Sequence, residues 1–239
     1  IYSFGNNDHG QLGLNDYTQR NSPIKINSLN NIDMIECGEN FSICKSTEED
    51  ICYAWGNNKQ GQLSINTIDN KYSTINHPKE CINTPRNIKS IKCGNNHTLF
   101  LTKNGNVFIC GNTRLNENTT MIHNATLIDE LPFIIKISCG YEHSMCIDSE
   151  YNLWVFGSNL MGQLGKKCSK EISGLIKIDN IKNIIDISYK GDTTIIKTSD
   201  NNIYKLGCDK HVHFATELNG NECKVNNDKY LDGFTHIWG

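Results

Sequence analysis

One phrase returns along this chain at intervals of about 50 residues, and that period constrains the fold more than any local propensity does. It reads Tyr2-Ser3-Phe4-Gly5-Asn6-Asn7 followed by Gly10-Gln11-Leu12-Gly13. It recurs as Tyr53-Ala54-Trp55-Gly56-Asn57-Asn58 with Gly61-Gln62-Leu63-Ser64, and as Trp154-Val155-Phe156-Gly157-Ser158-Asn159 with Gly162-Gln163-Leu164-Gly165. A supersecondary unit of this length cannot bury its apolar face alone, so the copies must stack or ring one another. The functional question then moves from a catalytic pocket to the loops of a scaffold.

A second phrase lies about 17 residues ahead of the first. Its copies are Ile35-Glu36-Cys37-Gly38-Glu39-Asn40-Phe41-Ser42, Ile91-Lys92-Cys93-Gly94-Asn95-Asn96-His97-Thr98 and Ile137-Ser138-Cys139-Gly140-Tyr141-Glu142-His143-Ser144, with a worn copy at Ile187 to Thr194. Each leads into an alternating strand, a polar turn and a second strand that ends in glycine. Thr98 to Thr102, the turn Lys103-Asn104-Gly105-Asn106, and Val107 to Gly111 show the pattern best, and Asn-Gly between two apolar alternations is a strong hairpin signal. The strand-end glycines fall at 5, 56, 111, 157 and 207, with gaps of 51, 55, 46 and 50 residues. The hairpin keeps its length while the following segment varies, which predicts a fixed core with variable outer loops. Return segments such as Pro23 to Ile26 and Leu175 to Ile178, and the run Ile181 to Ile187, supply further strands. About four strands per unit predict an all-β fold, a β-propeller.

The two phrases at this separation resemble the repeats of the regulator of chromosome condensation family, and the resemblance covers the chain to about residue 210. It implies a propeller of the kind that is seven-bladed in the family. It also implies a protein-interaction module, or guanine-nucleotide exchange on a small GTPase. The third repeat departs from the pattern: Gly111-Asn112 runs into Thr113-Arg114-Leu115-Asn116 with no GQLG. The fifth, Leu206-Gly207-Cys208-Asp209, lacks it as well, Phe41 stands where the others carry His, and Lys190 stands where they carry Gly.

At 239 residues the chain holds about five units, approximately 1–34, 35–90, 91–136, 137–186 and 187–239, in a single domain. Two architectures fit: a five-bladed ring, or part of a seven-bladed one. Ring closure would use the tail from Lys224 to Gly239, whose Thr235-His236-Ile237-Trp238-Gly239 mimics a strand end that could complete the blade begun by Ile1 to Gly5. Asn and Ile make up more than a quarter of the residues, and the Asn sit at turns between apolar strands, so ordered loops are expected rather than a disordered tract. A net charge of −3 argues against a broad nucleic-acid surface, and Lys166, Lys167 and Lys170 read as a solvated loop. No apolar run approaches a membrane span.

The eleven cysteines form no C-x-x-C pair. Cys37, Cys93 and Cys139 share one repeat position and Cys44 and Cys146 another, so they read as small buried residues between blades, and free thiols in such number favour an intracellular setting, cytoplasm or nucleus. His97 and His143 also share a repeat position and read as hydrogen-bonding side chains that tie a blade turn. Gly38, Gly94 and Gly140 are expected to allow close approach or positive φ, the three Gln to satisfy turn backbone, and Leu12, Leu63 and Leu164 to plug the interface between blades. Trp55 and Trp154 read as core. No catalytic, cofactor-binding or metal-binding residue is assigned, and no cofactor is expected, because no nucleotide loop, zinc helix or nucleophile elbow is present. The expected function is a non-enzymatic protein-interaction scaffold. The alternatives are an exchange factor for a small GTPase and a substrate-recruiting domain of a larger protein such as a ubiquitin ligase. The loops Asn66 to Thr84 and Arg114 to Thr126 are the expected partner contacts, since they diverge most.

Overall fold

The computed structural model describes residues 1–48, 50–65, 73–115, 121–165, 172–207 and 223–224. The lysine cluster at 166, 167 and 170, the tail from 225 onward with Trp238, and the centres of both divergent loops, 66–72 and 116–120, lie outside the described residues.

Every described element is a strand. β1 (Tyr2–Gly5) and β2 (Arg20–Lys25) form a two-stranded sheet. Four four-stranded antiparallel sheets follow. Sheet B holds β3 (Ile32–Cys37), β4 (Phe41–Ser46), β5 (Cys52–Asn57) and β6 (Thr74–Glu80). Sheet C holds β7 (Ile88–Cys93), β8 (His97–Thr102), β9 (Val107–Asn112) and β10 (Met121–Leu127). Sheet D holds β11 (Ile134–Cys139), β12 (His143–Asp148), β13 (Leu153–Gly157) and β14 (Ile172–Ile178). Sheet E holds β15 (Ile184–Lys190), β16 (Thr193–Thr198), β17 (Ile203–Leu206) and β18 (Cys223–Lys224). Strand order follows chain order within each sheet, and the first strands touch in succession, β3 on β7, β7 on β11 and β11 on β15. This is the blade arrangement of a β-propeller.

Each four-stranded sheet begins three residues ahead of the boundary read from the sequence, at Ile32, Ile88, Ile134 and Ile184. The reason is a bulge in the pairing of the first two strands, between Ile32 and Met34, Ile88 and Ser90, Ile134 and Lys136, and Ile184 and Asp186. The extra residue lets the isoleucine ahead of the phrase rejoin the ladder.

The core lies in the seams between sheets. β4, β8 and β12 are buried along their whole length because they face a neighbouring sheet on each side. Trp55 and Leu63 of sheet B pack in one cluster with Ile91, Phe100 and Cys110 of sheet C. Leu99 and Ile109 of sheet C meet Ile137, Cys146 and Phe156 of sheet D, and Met145, Val155 and Leu164 of sheet D meet Ile187, Ile196 and Leu206 of sheet E. Leu63 and Leu164 are fully buried, each contributing about 2 kcal/mol by burial.

The first four-stranded sheet departs from this rule. Ile35 is 52% exposed where Ile91, Ile137 and Ile187 are 2%, 2% and 5% exposed. Cys37 is exposed too, which corrects the expectation that all repeat-position cysteines are buried. Among the described residues the sheet ahead of β3 has only β1 and β2, so no first strand lies beside β3 as β3 lies beside β7.

Candidate functional site

The antiparallel order sorts all connections onto two faces. The loops between first and second strands, which carry the CGxxH phrase, and those between third and fourth strands, which carry the GQLG turn, share one face. The hairpins between second and third strands and the connections from one sheet to the next share the other. The two stretches read as divergent loops are not loops throughout, because 66–84 contains β6 and 114–126 contains most of β10; the segments ahead of those strands leave from the first face, on adjacent sheets, with described flanks Ile65 and Ser73 in sheet B and Leu115 and Met121 in sheet C.

On this face each turn is clamped onto the following sheet. The side chains of Asn7, Asn58 and Asn159 accept from the amides of Leu12, Leu63 and Leu164 at 2.9, 3.1 and 3.0 Å. The side-chain oxygens of Gln11, Gln62 and Gln163 accept from His9, Gln60 and Met161 at 2.9, 3.0 and 2.8 Å, as expected for turn-satisfying glutamines. Their backbone carbonyls then accept hydroxyls from the next sheet: Ser42 to Gln11 at 2.9 Å, Thr98 to Gln62 at 2.8 Å and Thr194 to Gln163 at 3.1 Å. Trp55 Nε1 donates to the Gln11 carbonyl at 2.8 Å and Gly13 lies against its ring, so Trp55 is core, while Trp154, half-buried, donates to Asp148 instead.

His97 and His143 do not tie their own turns. Each reaches forward to the next sheet, His97 Nε2 to Ser144 Oγ at 2.9 Å and His143 Nε2 to Thr194 Oγ1 at 2.9 Å. Each ring closely approaches the glycine of its own phrase: a Cβ on Gly94 would stand 2.1 Å from His97 Cε1, and one on Gly140 1.9 Å from His143 Cε1. Close approach, not positive φ, therefore requires glycine there. Burial pushes the His97 imidazole down to about 4 and that of His143 to about 3, His97 adding to the latter, so both are neutral at pH 7. Neutral, fully buried rings committed to hydroxyls serve as struts.

Sheet C, which lost the GQLG turn, uses different chemistry at the same place. In sheets B and D the glutamine amide reaches the loop of the next sheet, Gln62 Nε2 to Asn96 Oδ1 at 3.3 Å and Gln163 Nε2 to Asp192 Oδ1 at 3.4 Å, whereas the Gln11 amide donates to Asn6 in its own turn. At the seam between sheets C and D the ion pair of Arg114 with Glu142, 3.3 Å, takes that role. Glu142 occupies the repeat position of Asn96 and Asp192.

The centre of this face is crossed by tyrosines. Tyr141 OH donates to Glu39 Oε1 at 2.9 Å, spanning from sheet D to sheet B past sheet C. Its carbonyl accepts from Asn95 N at 2.9 Å and its amide donates to Gly191 O at 3.1 Å, so this one residue joins the loops of all four sheets. Bonding to Glu39 raises its phenol above the ordinary range. Tyr189 OH reaches the Cys93 carbonyl at 3.4 Å, and Lys92 pairs with Glu36 on adjacent first strands. Sequence reasoning missed Tyr141; its only signal was an aromatic where the other copies carry Glu39 and Asn95.

Among the described residues no group of three or more His, Cys, Asp and Glu could hold a metal ion. Burial raises the thiols of Cys44, Cys52 and Cys110 to about 12, far from a nucleophile's range. No described helix is long and apolar enough to cross a membrane.

Two models of the regulator of chromosome condensation (RCC1) repeat match the chain, one over residues 1–44 and 49–101, the other over 88–116 and 134–163. The serine/threonine-protein kinase Nek9 of Mus musculus is 27% identical over 87% of this chain, which spans 23% of that protein. The probable E3 ubiquitin-protein ligase HERC3 of Homo sapiens is 28% identical over 73% of this chain, which spans 18% of it. Among solved structures, human WBSCR16 superposes with a TM-score of 0.77 at 18% identity, over 94% of this chain and 66% of its own. Prp20p of Saccharomyces cerevisiae, described with its binding to Gsp1p and histones, superposes with a TM-score of 0.75 at 18% identity, over 87% of this chain and 53% of its own.

Proposed function

Since the chain belongs to the regulator of chromosome condensation repeat family, we propose that it is a protein-interaction scaffold without catalytic chemistry of its own, working through the face that bears the CGxxH loops. The observation that carries this reading is that the described flanks of both divergent segments, Ile65 and Ser73, and Leu115 and Met121, share one face of adjacent sheets whose seams are locked by buried hydrogen bonds. A rigid base with variable loops suits recognition, because the loops vary without disturbing the core. The two histidines that a catalytic reading would use are buried struts. The free cysteines among the described residues, buried except for Cys37, fit a place inside the cell.

A second reading is favoured by the lengths of the relatives. The chain spans under a quarter of Nek9 and of HERC3, which fits a recruiting domain within a larger protein. Exchange on a small GTPase is the third reading, supported by the likeness in fold to Prp20p, whose binding to Gsp1p is described. Exchange needs only tighter binding to the nucleotide-free GTPase than to the loaded form.

Affinity capture from lysate, with and without nucleotide depletion, separates these readings. The scaffold reading expects partners independent of nucleotide and lost when 66–72 or 116–120 is replaced by a glycine-serine linker, which leaves β6 and β10 in place. A GTPase retained only after depletion would favour exchange and overturn it. Partners that survive both loop replacements would move the binding site off this face.

A further inference from the structure

The hairpin face carries two departures from the repeat that the fold does not need. In each connection between sheets, one residue gives its carbonyl to the preceding or following hairpin at an equivalent place: Asn31 to Thr47 N at 2.8 Å, Asn87 to Lys103 N at 2.8 Å, Asn183 to Ser199 N at 2.9 Å, and Phe133 to Ser149 N at 2.9 Å. The three asparagines have φ of 51, 56 and 57°, a left-handed conformation that Asn tolerates well. The fourth copy replaces Asn with Phe133, 52% exposed, its ring resting on Gly105 of the neighbouring hairpin.

The hairpins show a matching departure. Their equivalent positions are Asp50, Gly105, Tyr151 and Asn201, with φ of 51, 76, 62 and 62°. Asp, Gly and Asn are the residues that favour this conformation, whereas a bulky aromatic there is strained. Tyr151 is nevertheless held at φ 62° with its side chain 47% exposed. The two substituted positions meet at one hairpin, since the Phe133 carbonyl accepts from Ser149 N, two residues from Tyr151. The strip continues to Ile185, 41% exposed, because Tyr151 O accepts from Ile184 N at 3.1 Å. Retained strain beside an exposed aromatic, in a repeat whose other copies show the unstrained solution, points to binding.

The charges around the strip define the occupant. The exposed carboxylates Asp129, Glu130, Glu150 and Asp179 stand on the same connections and hairpins, against Lys103 and Lys182; of the lysines on the adjoining strands, Lys136 is paired with Asp186 and Lys89 donates to the Ile135 carbonyl. We propose that Phe133 and Tyr151 anchor a second docking surface, opposite the CGxxH loops, that takes a basic amphipathic segment of a partner protein: apolar side chains on the two rings, lysine or arginine on the carboxylate rim.

The test measures fluorescence anisotropy of a labelled leucine-lysine amphipathic helix against the full chain, beside the same peptide with glutamate for lysine. Two variants restore the repeat's own residues, Phe133→Asn and Tyr151→Asn. The basic peptide is expected to bind, to weaken as salt rises, and to lose about tenfold or more in affinity with each variant, as expected for aromatic anchors. Melting temperature should be unchanged for Phe133→Asn and unchanged or higher for Tyr151→Asn. Equal binding of the acidic peptide, wild-type affinity in the double variant, or no binding of the basic peptide would overturn the proposal. So would self-association in sedimentation that the double variant abolishes, since the strip would then be covered by a second copy of this chain.

Discussion

His97→Phe is a substitution for which the chain supplies its own control. Phe41 occupies the equivalent position in sheet B and lies over Gly38 just as His97 lies over Gly94. The ring is therefore tolerated, but the surroundings differ. The hydroxyl at the repeat position of Ser144 in the sheet after Phe41, that of Thr98, bonds the Gln62 carbonyl of the GQLG turn. Sheet C has no such glutamine, so Ser144, 2% exposed, depends on His97. Removing the imidazole leaves that hydroxyl with the weakly bonding Cys139 thiol in place of a full partner, a cost of about 1–1.5 kcal/mol at pH 7. The pH dependence has the opposite sign. His97 titrates near 6.5 when unfolded and near 4 when folded, so the unfolded chain binds the proton more readily as pH falls through that window. The native protein should lose about 2 kcal/mol from this group between pH 7 and pH 5, at about 1.4 kcal/mol per pH unit in the middle of the window. The phenylalanine variant carries no such loss. It should be less stable than the native chain at pH 7, equal to it near about pH 5.5, and more stable at pH 5. Urea denaturation of both proteins at several pH values, followed by tryptophan fluorescence, measures the difference directly, and contributions from other groups cancel. Adding Ser144→Ala should recover most of the loss at pH 7. Stability curves that run parallel from pH 7 to pH 5 would refute the reasoning, because a buried, neutral imidazole cannot be removed without changing the slope.

Gly140→Ala would place a methyl 1.9 Å from the His143 ring, and should cost about 3 kcal/mol or more, read as a lowered urea midpoint with loss of the Thr194 contact. Cys44, Cys52 and Cys110, with thiols near 12, should resist a disulfide reagent at pH 8 in the native chain and react at the rate of unfolding; prompt labelling of any of them, located by mass spectrometry, would contradict their burial. Trp55→Phe removes a donor from the Gln11 carbonyl, which Ser42 still serves, so the loss should stay near about 1 kcal/mol in the same denaturation assay.

The repeating unit, its two hairpin strands and its turns were legible because each rests on local chemistry: alternation within six residues, Asn and Gly where φ turns positive, a glutamine and an asparagine closing a tight turn. The same phrases placed the core leucines, but the stretches read as divergent loops also hold β6 and β10, whose irregular sequence hid their pairing with β5 and β9. Identical phrases could not reveal what neighbours they meet. Ile35 and Ile91 occupy the same place in the repeat, yet only Ile91 is covered, because exposure depends on the strand lying beside β3 or β7. The forward reach of His97 to Ser144, the exchange of Gln for the Arg114–Glu142 pair, and the span of Tyr141 to Glu39 join residues 47, 28 and 102 positions apart. The chain by itself determined the blade; how far the blades lean together, and hence which side chains meet in the seams and across the centre, was decided only when the sheets packed.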